Sequence, residues 1–256
     1  MQLKKQWLLI PVSLLIVLLG LSVSLNMALW RRAKQYYKES NATRLDPIGM
    51  NAFSATDVPP KREAIRVVFV GDSRAAGWPA PELQGYEFIN RGISSQTSTQ
   101  VLQRFSAHVV PLNPDIVVIQ VGVNDIKTIG LFSSQAPQIL SDVRNHISQL
   151  VAQAESTGAQ VIVSSILPAG RITLARRAFW SDDIDAAIAD INSFLKEIAD
   201  ANAEDKIVWF DGYAAIANAE GRMKSEYRAD ELHLNSAGYE ALNQHFVDTL
   251  SELKNQ

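Results

Sequence analysis

Cysteine is absent from this chain of 256 residues. Its absence removes disulfides, thiolate nucleophiles, cysteine-based zinc sites and iron–sulfur clusters from consideration. The redox compartment stays open, because a cysteine-free domain is compatible with any of them. Histidine is scarce, with four residues at positions 108, 146, 233 and 245. Acids are missing from the first 38 positions, which carry six Lys and Arg. Residues 39–256 therefore hold 18 bases against 27 acids, a net charge of −9. An acidic body of this kind argues against a nucleic-acid partner. Low-complexity and collagen-like classes are excluded too, since Gly and Pro number only 13 and 10 and 47% of residues are hydrophobic.

The basic head has its own explanation. Residues 7–30 contain no charge and are rich in Leu, Val and Ile. At about 1.5 Å per residue a helix of this length reaches roughly 36 Å, enough to cross the hydrocarbon of a bilayer. Trp7 and Trp30 stand at its ends, where interfacial aromatics are favoured. Lys4 and Lys5 precede it; Arg31, Arg32, Lys34 and Lys38 follow. A cleaved signal peptide is the rival, with Ser22-Val23-Ser24 as its nearest approach to a cleavage site. The length favours an uncleaved single-pass anchor over residues 1–30, with the body outside the cytoplasm. Residues 31–64 mix charges with Asn, Ser and Pro and show no sustained period, which predicts a tether.

From residue 65 to 256 strand and helix patterns alternate. Short β-branched or apolar runs at 65–70, 86–90, 115–121, 161–166 and 207–210 predict five strands. The third run is apolar throughout, as in a strand buried on both faces. Ile139, Val143, His146, Leu150 and Ala154 recur at helical spacing, as do Ile184, Ile188, Ile191, Leu195 and Ile198. A last helix starts near Ser236. The pattern predicts one α/β domain with a five-stranded parallel sheet covered on both faces. In such sheets ligands bind beyond the carboxyl ends of the strands.

Residues at those ends are chemically consistent with each other. Gly71-Asp72-Ser73 follows the first strand and Asn90-Arg91-Gly92 the second. Gly122-Val123-Asn124-Asp125 follows the third, and Asp230-Glu231-Leu232-His233 precedes the last helix. A hydroxyl becomes a nucleophile only when a base takes its proton, and that base needs a carboxylate to orient it. His233 alone among the four histidines has an acid three residues before it and lies in a predicted loop. Asp72 and Asp125 read as loop-tying residues. Asp182, Asp183, Asp185 and Asp190 read as helix-start and outer-face charges, so no metal or other cofactor is called for.

With these four blocks in order, the chain resembles the SGNH (GDSL-type) hydrolase family over residues 65–256. His233-Leu234-Asn235 followed by Gly238-Tyr239 is similar to that family's final block. The resemblance implies the three-layer α/β/α, flavodoxin-like SGNH fold and hydrolysis of an acyl ester. It also implies Ser73 as nucleophile, His233 as general base then acid, and Asp230 as its orienting carboxylate. The oxyanion hole would comprise the Ser73 N–H, the Gly92 N–H and the Asn124 amide. Arg74 departs from the family, which usually has an apolar residue there. Gly71-x-Ser73-x-Ala75 also approximates the nucleophile elbow of α/β-hydrolases, but there the serine follows a mid-sheet strand and the acid stands far from the histidine.

Substrate choice rests on loops 126–135 and 168–181. Arg74, Arg176, Arg177 and Trp180 are candidates to bind an acidic sugar or a lipid head group. The expected substrate is a short acyl ester, acetyl-like, on a cell-envelope carbohydrate. A lysophospholipase or thioesterase, an O-acyltransferase, and a membrane-tethered binding domain with a relict site are the alternatives.

Overall fold

The computed structural model of the chain describes residues 2–54, 58–61, 63–202 and 207–254. Parts of the expected tether (55–57 and 62) and of the hydrolase domain (203–206, 255 and 256) lie outside the described residues. So do the side chains of Lys4, Lys5 and Trp7. The chain divides into two compact units, Met1–Pro47 and Ile48–Gln256.

The first unit is a helix, α1 (Gln2–Leu45). Its apolar part, with a mean hydropathy of 2.3 in the most apolar window, is long enough to cross a membrane or to act as a signal sequence. The helix does not stop at Trp30 but runs on through residues where a tether is expected. Those residues are good helix formers that bond along the helix: Gln35 Nε2 to Glu39 Oε1 at 2.8 Å and Thr43 Oγ1 to the Glu39 carbonyl at 3.0 Å. An exposed helix needs no apolar stripe, which is why no period marks it.

The second unit holds five strands: β1 (Ile65–Gly71), β2 (Tyr86–Gly92), β3 (Ile116–Gln120), β4 (Gln160–Ser164) and β5 (Ile207–Phe210). All are parallel, in the order β2-β1-β3-β4-β5. The helices are α2 (Ser73–Ala76), α3 (Ser98–His108), α4 (Val123–Ile126), α5 (Ala136–Glu155), α6 (Asp183–Ala201), α7 (Gly212–Ile216) and α8 (Ser236–Lys254).

Alternate residues of each strand enter different cores. Val68, Val70, Val117, Ile119, Val161 and Val163 pack with the apolar faces of α3, α5 and α6. Val67, Phe69, Val118, Ile162 and Phe210 pack with Trp78 and with Leu242, Phe246 and Leu250 of α8. The continuous apolar strands are thus explained by two buried faces. The sheet's direction of travel reverses between β1 and β3, and the switch point of such a sheet opens a crevice. Gly71 lets the two strands close there, because a Cβ at this position would lie 1.8 Å from the Gln120 carbonyl oxygen.

Residues 48–61 belong to the second unit. Gln96 Nε2 donates to the Ile48 carbonyl at 2.8 Å, and buried Arg66 donates through Nη2 to the Pro59 and Pro60 carbonyls at 3.1 and 2.8 Å.

Candidate active site

Ser73 opens α2 at the end of β1. Asp72 caps this short helix, its Oδ1 accepting the Arg74 N–H at 2.9 Å. The cap faces Asp72 inward: it is fully buried, and burial pushes its carboxyl up to about 6 against the opposing pull of Arg74. Ser73 is the first residue of α2, where a helix leaves an N–H without an intrahelical acceptor.

Asp230 and His233 sit in the loop before α8, closed by an antiparallel bridge between Arg228 and Leu234. Asp230 Oδ1 accepts the N–H groups of Leu232 and His233, each at 2.8 Å. Its Oδ2 lies 2.8 Å from His233 Nδ1, and His233 Nε2 lies 2.9 Å from Ser73 Oγ. An ionised carboxylate only accepts, so the proton between Asp230 and His233 sits on Nδ1 and Nε2 is free to take one from the serine. Partial burial acts to raise Asp230, but the two N–H bonds and the imidazole outweigh it and hold this carboxyl below its ordinary range. The serine–histidine pair opens into a groove of about 750 Å³ flanked by Pro79, Asn235, Ser236 and Tyr239.

The Gly92 N–H is already engaged, donating to Asn90 Oδ1 at 2.8 Å. Asn90 in turn donates to the Ala75 carbonyl at 2.7 Å, tying β2 to α2. Gly92 is required by closeness, since a Cβ there would stand 2.2 Å from the Ala76 nitrogen. Three residues on, Ser95 holds a left-handed backbone at φ 67°, a region non-glycine residues avoid, and among the described residues its N–H has no acceptor. Asn124 Nδ2 donates to the next carbonyl, Gln96, at 2.9 Å, and its Oδ1 accepts from Lys127 Nζ at 2.6 Å. The Ser95 turn, Asn124 and Lys127 thus form one connected unit. Only the positive φ reveals Ser95, and nothing in the local sequence pattern marks Lys127.

Arg74 is not available to a substrate. It is 1% exposed and donates through Nε to the Leu232 carbonyl at 2.9 Å and through Nη1 to the Leu167 carbonyl at 2.7 Å. Arg176 is committed to Glu231 at 2.6 Å, joining loop 168–181 to the histidine loop. Arg177 and Trp180 line a second cleft, on that loop. Asp125 ties α4 to α3 by accepting Ser98 Oγ at 2.8 Å, and Ser98 Oγ also meets His146 Nδ1 at 2.9 Å. Asp185 pairs with Arg222 at 2.8 Å and Asp190 with Arg144.

A three-layer α/β/α fold with a serine, a histidine and an aspartate in line at the switch point defines a class of ester-hydrolysing enzyme. The chain belongs to the GDSL-like lipase/acylhydrolase family, whose pattern matches residues 69–241. Among solved structures it is similar to a Bacteroides fragilis protein assigned as an acylhydrolase, with 26% identity over 78% of this chain and 93% of that one and a TM-score of 0.64. A GDSL-like lipase from Bacteroides thetaiotaomicron is 26% identical over 86% and 97%, with a TM-score of 0.58. An acetylxylan esterase from Geobacillus stearothermophilus, solved as a catalytic mutant, shares the fold at 19% identity over 74% and 95%, TM-score 0.58. Among curated proteins nothing matches it.

Proposed function

We propose that the chain is a membrane-held serine esterase that removes short acyl groups through an acyl-enzyme at Ser73. The observation that carries this reading is the unbroken hydrogen-bond line from Ser73 Oγ through His233 to Asp230. Ser73 Oγ attacks the ester carbonyl while His233 Nε2 takes its proton, and Asp230 stabilises the imidazolium. His233 then protonates the departing alkoxide, leaving an acyl-serine. Water, deprotonated by the same nitrogen, attacks the acyl carbon and frees the acid and the serine. Negative charge on the carbonyl oxygen is met by the N–H groups of Ser73 and Ser95 and by Asn124 Nδ2. Ser95 takes the place of Gly92 because its donor is uncommitted.

The groove beside Ser73 is bordered by polar Asn235 and Ser236 as well as by Pro79 and Tyr239, which suits a short acyl group. Likeness of fold to acetylxylan esterases supports an acetyl group on a carbohydrate. A lipid-directed esterase is the second reading, favoured by Leu174 and Phe179, which are 82% and 55% exposed on loop 168–181. The first unit acts as an uncleaved anchor and residues 48–256 as the catalytic domain outside the cytoplasm. Hydrolysis of chromogenic acetyl and octanoyl esters by the full chain in detergent, beside Ser73→Ala, tests the reading. Turnover lost in the variant and faster on acetyl supports it; equal turnover by both proteins refutes it. A preference for octanoyl moves the assignment to the lipid-directed reading.

A further inference from the structure

The second cleft, of about 710 Å³, is lined by four arginines: Arg171, Arg177, Arg222 and Arg228. Among the described residues only Arg222 of the four has a carboxylate partner, Asp185. Among the described residues Arg171 and Arg177 have none, and the Arg228 guanidinium donates only to the Arg171 carbonyl, at 3.5 Å. Three guanidinium groups facing one space repel each other, and planar guanidinium forks match carboxylates bidentately. This concentration of positive charge stands on a body that is otherwise acidic, so it is local and aimed at a ligand rather than a general field.

The rest of the lining narrows that ligand. Asp182, Asn218 and Ser225 add a carboxylate, an amide and a hydroxyl, an acceptor and donor set suited to sugar hydroxyls. Half-buried Trp180 offers the apolar surface on which a pyranose ring rests. The cleft is also coupled to the catalytic groove: Arg228 lines the one, and its bridge partner Leu234, beside His233, lines the other. Gly170 holds the two together, its N–H bonded to the Glu231 carbonyl at 2.9 Å and its missing Cβ leaving room for Arg228.

We propose that this cleft binds the carboxylate of an acidic sugar, so that the ester cleaved at Ser73 is carried on an acidic polysaccharide. The proposal rests on the serine-esterase reading and adds its substrate class. It is tested first by binding, with the full Ser73→Ala chain in detergent and trigalacturonate, xylotriose and glycerophosphoglycerol as probes. Trigalacturonate should bind more tightly than xylotriose by about tenfold or more, and each of Arg171→Gln, Arg177→Gln and Arg228→Gln should weaken it by about tenfold. Added salt should weaken it too. Equal binding of the neutral and acidic trisaccharides, no binding of trigalacturonate, or binding of glycerophosphoglycerol alone would each overturn the proposal, the last pointing to a lipid head group.

Turnover distinguishes ester cleavage at Ser73 from recognition of the sugar's carboxylate. Arg171→Gln with Arg228→Gln should lower the kcat/KM ratio of acetylated polygalacturonate to p-nitrophenyl acetate by about tenfold or more. Lys196→Gln, a surface charge paired with Asp200 far along α6, should leave that ratio unchanged. Loss of Ser73-dependent turnover on every ester would bring down the esterase reading itself. Turnover of p-nitrophenyl acetate with a ratio insensitive to the arginines would bring down only the acidic-sugar assignment.

Discussion

Arg74 Nε donates to the Leu232 carbonyl at 2.9 Å, joining the residue after the nucleophile to the residue before the base. The two are 158 positions apart, and the same guanidinium also holds the Leu167 carbonyl. Arg74 therefore sets the spacing of Ser73 and His233 from beneath the site. Arg74→Met should lower stability by about 3 kcal/mol, since it orphans buried carbonyls and leaves Asp72 without its countercharge. It should also lower kcat more than it raises KM. Thermal unfolding and steady-state kinetics check both effects; a variant with wild-type kcat and Tm would remove Arg74 from this role.

Lys127 acts through Asn124. Its ammonium fixes Asn124 Oδ1 and so determines where Nδ2 points. Burial drives this lysine's pKa down, with Asp72 and Asp125 opposing that shift. Asn124→Ala should reduce kcat by about 10²–10³-fold, as expected for an oxyanion donor. Lys127→Met should reduce kcat by about tenfold at nearly constant KM, with partial recovery in Lys127→Arg, because an interaction felt in the transition state is weakened rather than removed. A change confined to KM would assign Lys127 to substrate binding instead.

Asp72 gives the fold a pH dependence of defined sign. Its folded value of about 6 lies above the ordinary 3.8, so the folded protein holds the proton more tightly. Its contribution to stability is complete below pH 3.8 and is lost as pH rises through about 6. The full effect is about 3 kcal/mol at most, from the size of the shift. Asp72→Asn keeps an oxygen for the Arg74 N–H and cannot ionise. Denaturant unfolding from pH 4 to 8 should show a smaller decline with pH in the variant; identical slopes would contradict the assignment.

Ile48, Pro59 and Pro60 are bonded into the folded body. A soluble protein begun at residue 62 would lose the carbonyls that receive Arg66 and Gln96. It should be less stable than one begun at residue 48 by about 1–3 kcal/mol for each buried donor left unpaired. Chemical denaturation of the two fragments measures the difference, and equal midpoints would show that this segment contributes nothing.

Much of this was legible in the sequence because it is local. Apolar runs mark β3 and β5, helical spacing marks α5 and α6, and Asp230 with His233 forms one short turn. What was hidden depends on contacts distant in the chain. Arg74 is a polar residue whose partners lie 93 and 158 positions away, so no pattern separates a substrate ligand from a buried staple. The commitment of the Gly92 N–H follows from an Asn90 side-chain orientation that only the folded turn specifies. Beyond Trp30 the helix has no apolar stripe to announce it, because its side chains there are exposed, half-buried Asn41 excepted.

The most direct test of the account is to trap the acyl-enzyme. The full chain in detergent would be mixed with p-nitrophenyl acetate, acid-quenched within the first turnovers, digested and read by mass spectrometry. The expected result is an acetyl mass on the peptide carrying Ser73, absent from Ser73→Ala. Acetylation of a different residue, or undiminished turnover by Ser73→Ala, would contradict it.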